Sequence, residues 1–300
     1  MTAHTQIGSD VSTIELSATE RIVRFLQRTP VHIAVVVICL IWMVPTVGLF
    51  VSSFRPAALI AKTGWWTAFT PPFHFTLDLY REALGSANMG RSFINSLFIS
   101  IPATIIPIMI AAFAAFAFAW MDFPGRNLLF IVVVGLLVVP LQMTLIPILR
   151  LYNRIGLTGT FVGIWIAHAA YGLPFAVYLL RNFFGTLPRD MLESAYLDGA
   201  SPFTAFLRLV LPLSVPALAS LAIFQFMWVW NDLLIALIYL GGAPDVAPMT
   251  LTISNLVNSL GSGWQLLTAA AFISMMLPLI VFLSLQRYFV SGVLAGSVKG

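Results

Sequence analysis

Six stretches of this sequence carry no Asp, Glu, Lys or Arg, and each is long enough to cross a bilayer: Val31 to Phe54, Ser92 to Met121, Asn127 to Leu149, Ile155 to Leu180, Leu209 to Asn231 and about Leu266 to Leu285. About 20 apolar residues, rising 1.5 Å each, cover ~30 Å of hydrocarbon as a helix. The composition agrees: 60% of the 300 residues are hydrophobic and 9% charged, against about half and about a quarter in soluble domains. An ordinary soluble domain is excluded. The expected fold is all-α and integral to the membrane, with six transmembrane helices at about 31–54, 92–120, 127–149, 158–181, 213–240 and 266–287. These lie within a domain 31–290, between a tail of residues 1–30 and a tail of residues 291–300.

Several function classes lose their footing at once. The net charge of +4 is scattered without a run of like charge, which speaks for membrane orientation and not for nucleic acid. Cys39 is the single cysteine, so neither a disulfide framework nor a thiolate metal site is available. His4, His32, His74 and His168 lie far apart and form no His-Glu-x-x-His pattern. Residues 1–30 are mostly polar, unlike a cleavable signal with its short basic and apolar regions, so the first span is expected to stay. Basic residues of the amino end, Arg126, the segment between spans four and five, and the carboxyl tail outnumber those of the opposite side. Both termini are therefore expected in the cytoplasm.

Prolines are frequent inside the blocks, at Pro45, Pro102, Pro107, Pro140, Pro147, Pro174, Pro216 and Pro278. Each removes a backbone donor and tends to kink its helix; this is either ordinary tolerance or a role in alternating shape. Ala111, Ala115 and Ala119 recur every four residues, a small-residue face that lets helices approach closely. The segment from Arg55 to Arg91, with Trp65, Trp66 and Pro71-Pro72, is expected to pack on the outer surface. No repeat marks an inverted-repeat secondary transporter.

The most patterned stretch is 187–212, LPRDMLESAYLDGASPFTAFLRLVLP. Pro188 suits a first helical turn, and Asp190 and Glu193 stand early, where the helix dipole favours acids. Leu192, Ala195, Tyr196, Gly199 and Ala200 fall on one small, largely apolar face. Gly199 can end this helix, and Ser201-Pro202 offers a fresh cap for a second, from Phe203 to Leu211, that runs until Pro212. Such a helix-turn-helix either presents a shallow surface to another protein or lies on lipid headgroups.

Glu193, Ser194-Ala195, Gly199, then nine residues to Leu209 and Leu211-Pro212, resembles the EAA motif of ABC importer permeases, with Ser194 replacing an alanine and Leu209 an isoleucine. Leu157-Thr158-Gly159-Thr160, Pro174-Phe175, Leu187-Pro188-Arg189-Asp190, Asp198-Gly199-Ala200 and Trp230-Asn231-Asp232 are similar to the carbohydrate-importer branch. The tail from Gln286 to Gly300 resembles the maltose-type second permease subunit, and Ser52 to Arg55 with Thr63 to Trp66 is similar to α-glucoside permeases. The resemblance covers roughly Ser52 to Gly300. It implies a type I importer permease fold and a path formed with a second permease subunit. Two ATPase subunits below would hold ATP and magnesium, and an external sugar-binding protein would deliver an α-glucoside or related oligosaccharide. This chain would be non-catalytic and hold no cofactor. By position, Glu193, Ser194, Ala195, Asp198, Gly199 and Ala200 would dock on the ATPase, and Leu211 and Pro212 would fix the exit into span five.

Asp232 is the one acid inside an expected span, if the fifth helix continues to Leu240; it would then stand about 25 Å from the cytoplasmic end. With Trp228, Trp230 and Asn231 it either lines the sugar path or forms a buried latch with interfacial tryptophans. Gly85 to Ser92 nearly spells a phosphate-binding loop, but arginine replaces the lysine and no strand precedes it. The segment Gly241 to Gly263 either contacts the binding protein or merely connects. A self-contained secondary transporter, or an integral membrane lipid-modifying enzyme needing His, Asp or Lys clustered at one depth, are the rivals.

Overall fold

The computed structural model describes residues 18–85, 88–256 and 263–297, with side chains over 29–85, 88–256 and 263–286. Residues 1–17 of the amino tail, Ser86 and Ala87 of the loop resembling a phosphate site, and 257–262 of the segment Gly241 to Gly263 lie outside the described residues, as do 298–300. Among the described residues every regular element is helical. The chain divides into two units, Met1–Val51 and Ser52–Gly300.

The described residues of the first unit belong to α1, Ala18–Ser53, whose last two residues fall in the second unit and whose apolar part Thr29–Ser53 is long enough to span. The helix starts within the expected tail 1–30, because its first turns are polar but contain no helix breaker until Pro30.

In the second unit, α2 (Ala57–Ile60), a 3-10 turn (Trp65–Phe69) and α3 (Asp78–Leu84) precede α4 (Met89–Trp120). Then follow α5 (Arg126–Gly135), α6 (Leu141–Ile155), α7 (Phe161–Phe184) and α8 (Arg189–Leu197). The chain continues through α9 (Pro202–Ala205), α10 (Leu211–Leu213) and α11 (Val215–Trp230). It closes with α12 (Leu234–Leu240), α13 (Met249–Ser254) and α14 (Trp264–Ser297). α4 packs along α7 and against α11, and α11 also meets α14. The alanine face explains the closest approach: Ala111 and Ala115 are fully buried among Ala176, Val177, Leu180 and Phe184, and without bulky side chains the backbones come near enough for dispersion contacts to accumulate. Thr160 caps α7, its hydroxyl accepting from Gly163 N at 3.0 Å.

The expected span 127–149 is not a single helix, and a sharp bend stands at the start of the expected span 213–240. Arg126–Val138 and Leu141–Ile155 meet at 99°, and Pro202–Leu213 and Val215–Trp230 at 73°. At the first break Val139 is extended, because the ring of Pro140 disfavours the helical conformation in the residue before it. At the second, Ser214 stands between Pro212 and Pro216, both lacking an N–H, and its own N–H is shared between Val210 O and Leu211 O. Pro102, Pro107, Pro147, Pro174 and Pro278 lie inside continuous helices.

The α4–α7 contact generates a prediction. Ala115→Leu forces extra methylenes into a closed seam and costs about 1–3 kcal/mol, lowering the unfolding temperature of the purified protein. Met109→Leu, on the exposed side of the same helix, leaves it nearly unchanged.

Candidate coupling segment and transport path

The segment after α7 folds as its sequence chemistry dictates. α8 ends in paired bonds, Gly199 N to Tyr196 O at 3.0 Å and Ala200 N to Ala195 O at 2.9 Å, the Schellman pattern that needs a left-handed residue. Gly199 supplies it with φ +82°. The Ser201 hydroxyl then accepts from Thr204 N at 3.2 Å and caps α9, with Pro202 in its first turn. The second helix does not stop at Pro212. Pro212 has no N–H to offer the previous turn, and the chain widens into a π-helical turn over Phe206–Val210 before α10 carries it to Leu213.

The small apolar face of α8 is split between two environments. Leu192 is buried with Ala205, Phe206 and Val210 in the cluster that contains Phe116, Val177, Phe184 and Leu221. Ala195 and Ala200 are half-buried, whereas Glu193, Ser194, Asp198 and Gly199 are exposed. Ser194 turns its hydroxyl back to Asp190 O at 2.7 Å. Leu211 is half-buried and Pro212 exposed. Leu197, absent from the sequence reading, is 90% exposed, with Tyr196 and Phe203 also exposed nearby in the chain.

At the far end of α11 the expected continuous helix to Leu240 is interrupted. α11 stops at Trp230, and the Asp232 carboxylate accepts from Ile235 N at 3.3 Å and Ala236 N at 3.0 Å, starting α12. A short acid that bonds nearby backbone amides competes with the helical ladder, so Asp232 marks a helix start. Thr250 Oγ1 donates to Asp232 O at 2.6 Å, and His168 Nε2 stands 3.7 Å from Asp232 Oδ2. Trp228 packs its ring edge-on to His168 at 5.2 Å.

The four residues expected on the path therefore separate. Trp228 joins Asp232 and His168, but Trp230 is 2% exposed, donates Nε1–H to Ser274 O at 3.1 Å and stacks on Phe226. Asn231 is exposed and donates to Met227 O at 2.8 Å. Trp228 lines a cavity of about 270 Å³ with Tyr171, Gly172, Phe175, Phe224 and Gln225. Gln225 donates to Ala103 O at 3.1 Å. It presses so closely on α7 that a Cβ at Gly172 would meet its Oε1 at 2.5 Å. The Tyr171 hydroxyl lies 2.8 Å from that of Thr144 and 2.9 Å from that of Tyr239.

Comparison with known proteins bears on what these features serve. The family described as binding-protein-dependent transport system inner membrane component matches residues 17–294. The chain belongs to that family. It is thus a permease component of an ABC importer and not an enzyme, ATP hydrolysis being the work of a separate subunit. Over 284 residues it is 60% identical to the osmoprotective compounds uptake permease protein GgtD of Synechocystis, covering 94% of this chain and 95% of that one. Over 241 residues it is 58% identical to the alpha-glucoside transport system permease protein AglG of Rhizobium meliloti, covering 79% of this chain and 63% of that one. A chain of a bacterial ABC transporter involved in the import of the acidic polysaccharide alginate shares the fold, with a TM-score of 0.73 at 20% identity over 91% of this chain and 99% of that one.

Within this permease, sequence reasoning missed His168, Tyr171, Gln225 and Leu197. The first three carry a usable signal, a polar atom inside an otherwise apolar window. Leu197 carries none, because one exposed leucine looks like any other in a sequence. In the permease, Asp232→Ala removes the acceptor at the start of α12 and costs about 1 kcal/mol, read as a lower unfolding temperature. Asp232→Asn keeps an acceptor and most of the stability; an equal loss in both variants would assign the weight to the carboxylate charge instead.

Proposed function

We propose that this permease is one half of a heterodimeric importer for an α-glucoside or related glycoside, driven through α8 by an attached ATPase. The observation that carries the coupling role is the two-sided character of α8: Leu192 is locked into the membrane core while Glu193, Ser194, Leu197, Asp198 and Gly199 are left exposed. One side of the helix can be gripped, and the other passes the displacement inward. Ala195 and Ala200 keep the surface shallow, and Leu211 and Pro212 carry the chain from the docking segment to the bend at Ser214. Two ATPase subunits bind ATP and magnesium, and this chain holds no cofactor. A second permease subunit completes the path, and an external binding protein delivers the cargo. Both termini lie in the cytoplasm, which puts α8 on the ATPase side.

The glycoside reading rests on the names of relatives, above all AglG. The cavity beside Trp228 supports it chemically. Tyr171, Phe175 and Trp228 offer aromatic faces for the apolar faces of a sugar ring, and Gln225 an amide for its hydroxyls. Asp232 acts one step removed, through His168 and Trp228, and Trp230 and Asn231 serve the fold around the path. ATP-driven closure then biases the permease between inward-open and outward-open shapes.

The deciding experiment is purification of the chain co-expressed with its genomic neighbours. Burying one leucine is worth roughly 1.5–3 kcal/mol, so Leu197→Asp is expected to weaken ATPase retention about ten- to hundredfold, with the unfolding temperature of the permease unchanged. Retention of the ATPase at the wild-type level would contradict docking through α8. Glycoside uptake by vesicles holding the wild-type complex checks the cargo separately.

A further inference from the structure

The segment between Ser53 and Asp78 contributes no residue to α8 or to the lining of the cavity beside Trp228. It turns outward a run of large aromatic side chains: Trp66 and Phe73 are 64% and 62% exposed, and Phe69 and Phe75 are similarly bare. Such a surface would be a liability in water.

The backbone fixes where this surface stands. Thr76 N donates to Phe54 O at 2.7 Å, and the Ser53 and Tyr80 hydroxyls are 2.8 Å apart. Both ends of the loop are therefore tied to Ser53 and Phe54, at the start of the second unit. Its middle is tied there too, by Arg55. This arginine is 3% exposed and donates to Thr63 O, Gly64 O, Thr63 Oγ1 and Thr67 Oγ1 at 3.3, 3.0, 2.6 and 3.0 Å. A buried guanidinium spends its donors here on the turn that bears Trp65 and Trp66. The loop is thus held close to Ser53 and Phe54, the residues at which the apolar stretch of α1 ends in the chain.

We infer that Trp66, Phe69, Phe73 and Phe75 form a shelf seated in the lipid headgroup region of the outer leaflet, beside the exit of α1. Aromatic rings concentrate at that depth, where the environment changes from hydrocarbon to water. The charge agrees with a phosphate-rich neighbour: between Arg55 and Asp78 the sequence has no Asp or Glu, and Lys62 is exposed. A basic residue near an anionic surface is attracted to it. The shelf anchors the start of the second unit against the bilayer. Seating in the headgroup region depends only on the chain being a membrane component, and the choice of the outer leaflet rests on the proposed orientation with both termini in the cytoplasm; both stand apart from the choice of cargo and from docking through α8.

The test is collisional relaxation of nitroxide labels in the assembled transporter, reconstituted in vesicles of phosphatidylethanolamine and phosphatidylglycerol. Labels are placed singly at Trp66→Cys and Phe73→Cys in a Cys39→Ala background. Both side chains are exposed, so neither substitution removes core packing, and each position carries the measurement if the other variant fails to assemble. Relaxation by oxygen, which partitions into lipid, is expected to exceed relaxation by a water-soluble nickel chelate several-fold at both positions. Dominant relaxation by the nickel chelate would place the shelf in water and overturn the inference. Low relaxation by both would place it under the second permease subunit or the binding protein, and overturn it equally.

Discussion

The packing of Leu192, Phe206 and Val210 against α4 and α7 is the interaction on which the rest depends. All three are almost wholly inaccessible and share one cluster with Ala111, Ala115, Leu180 and Phe184. Fully burying each side chain contributes roughly 1.5–3 kcal/mol, enough to make the segment that holds α8 to α10 a continuation of the packed core and not a loop hung beside it. Without that seam, α8 could be displaced without any consequence for the transmembrane helices. With it, a push on the exposed side of α8 arrives directly at α4, α7 and α11.

Lipid sets the second constraint, because backbone groups there must find partners within the protein. The bend at Ser214 meets this by sharing one N–H between two carbonyls, and the π-turn over Phe206–Val210 lets the chain pass Pro212. At the other end of α11, Asp232 does the same work with a side chain, accepting two amides where the helix has stopped. Each interruption re-aims the chain, and together they bring Trp228 and Gln225 to the cavity beside Tyr171.

Much of this was legible in the sequence. Charge-free windows located the long apolar helices, and local chemistry located the two helices of the 187–212 segment: Gly199 for the left-handed turn, and Ser201-Pro202 for the cap. Other features were not legible, for physical reasons. Pro140 and Pro174 look alike as prolines within apolar blocks, yet one ends a helix and the other does not, because the outcome depends on what the neighbouring helices supply. Leu192 and Leu197 lie on the same short helix, and periodicity does not say which one meets the core. Trp228 and Trp230 are two residues apart and therefore face different ways, one to a cavity and one to Ser274. His168 and Asp232 are distant in sequence and meet only through packing of the folded chain.

The central claim is that α8 and α11 belong to one packed body across the bend at Ser214. It is tested most directly by the distance between spin labels at Glu193→Cys and Phe224→Cys, in a Cys39→Ala background, measured by double electron–electron resonance in the assembled transporter with and without bound ATP. A rigid body predicts one narrow distance, the same in both states. A distance that shifts or broadens with ATP would show that the bend flexes and absorbs the displacement, and would contradict the account.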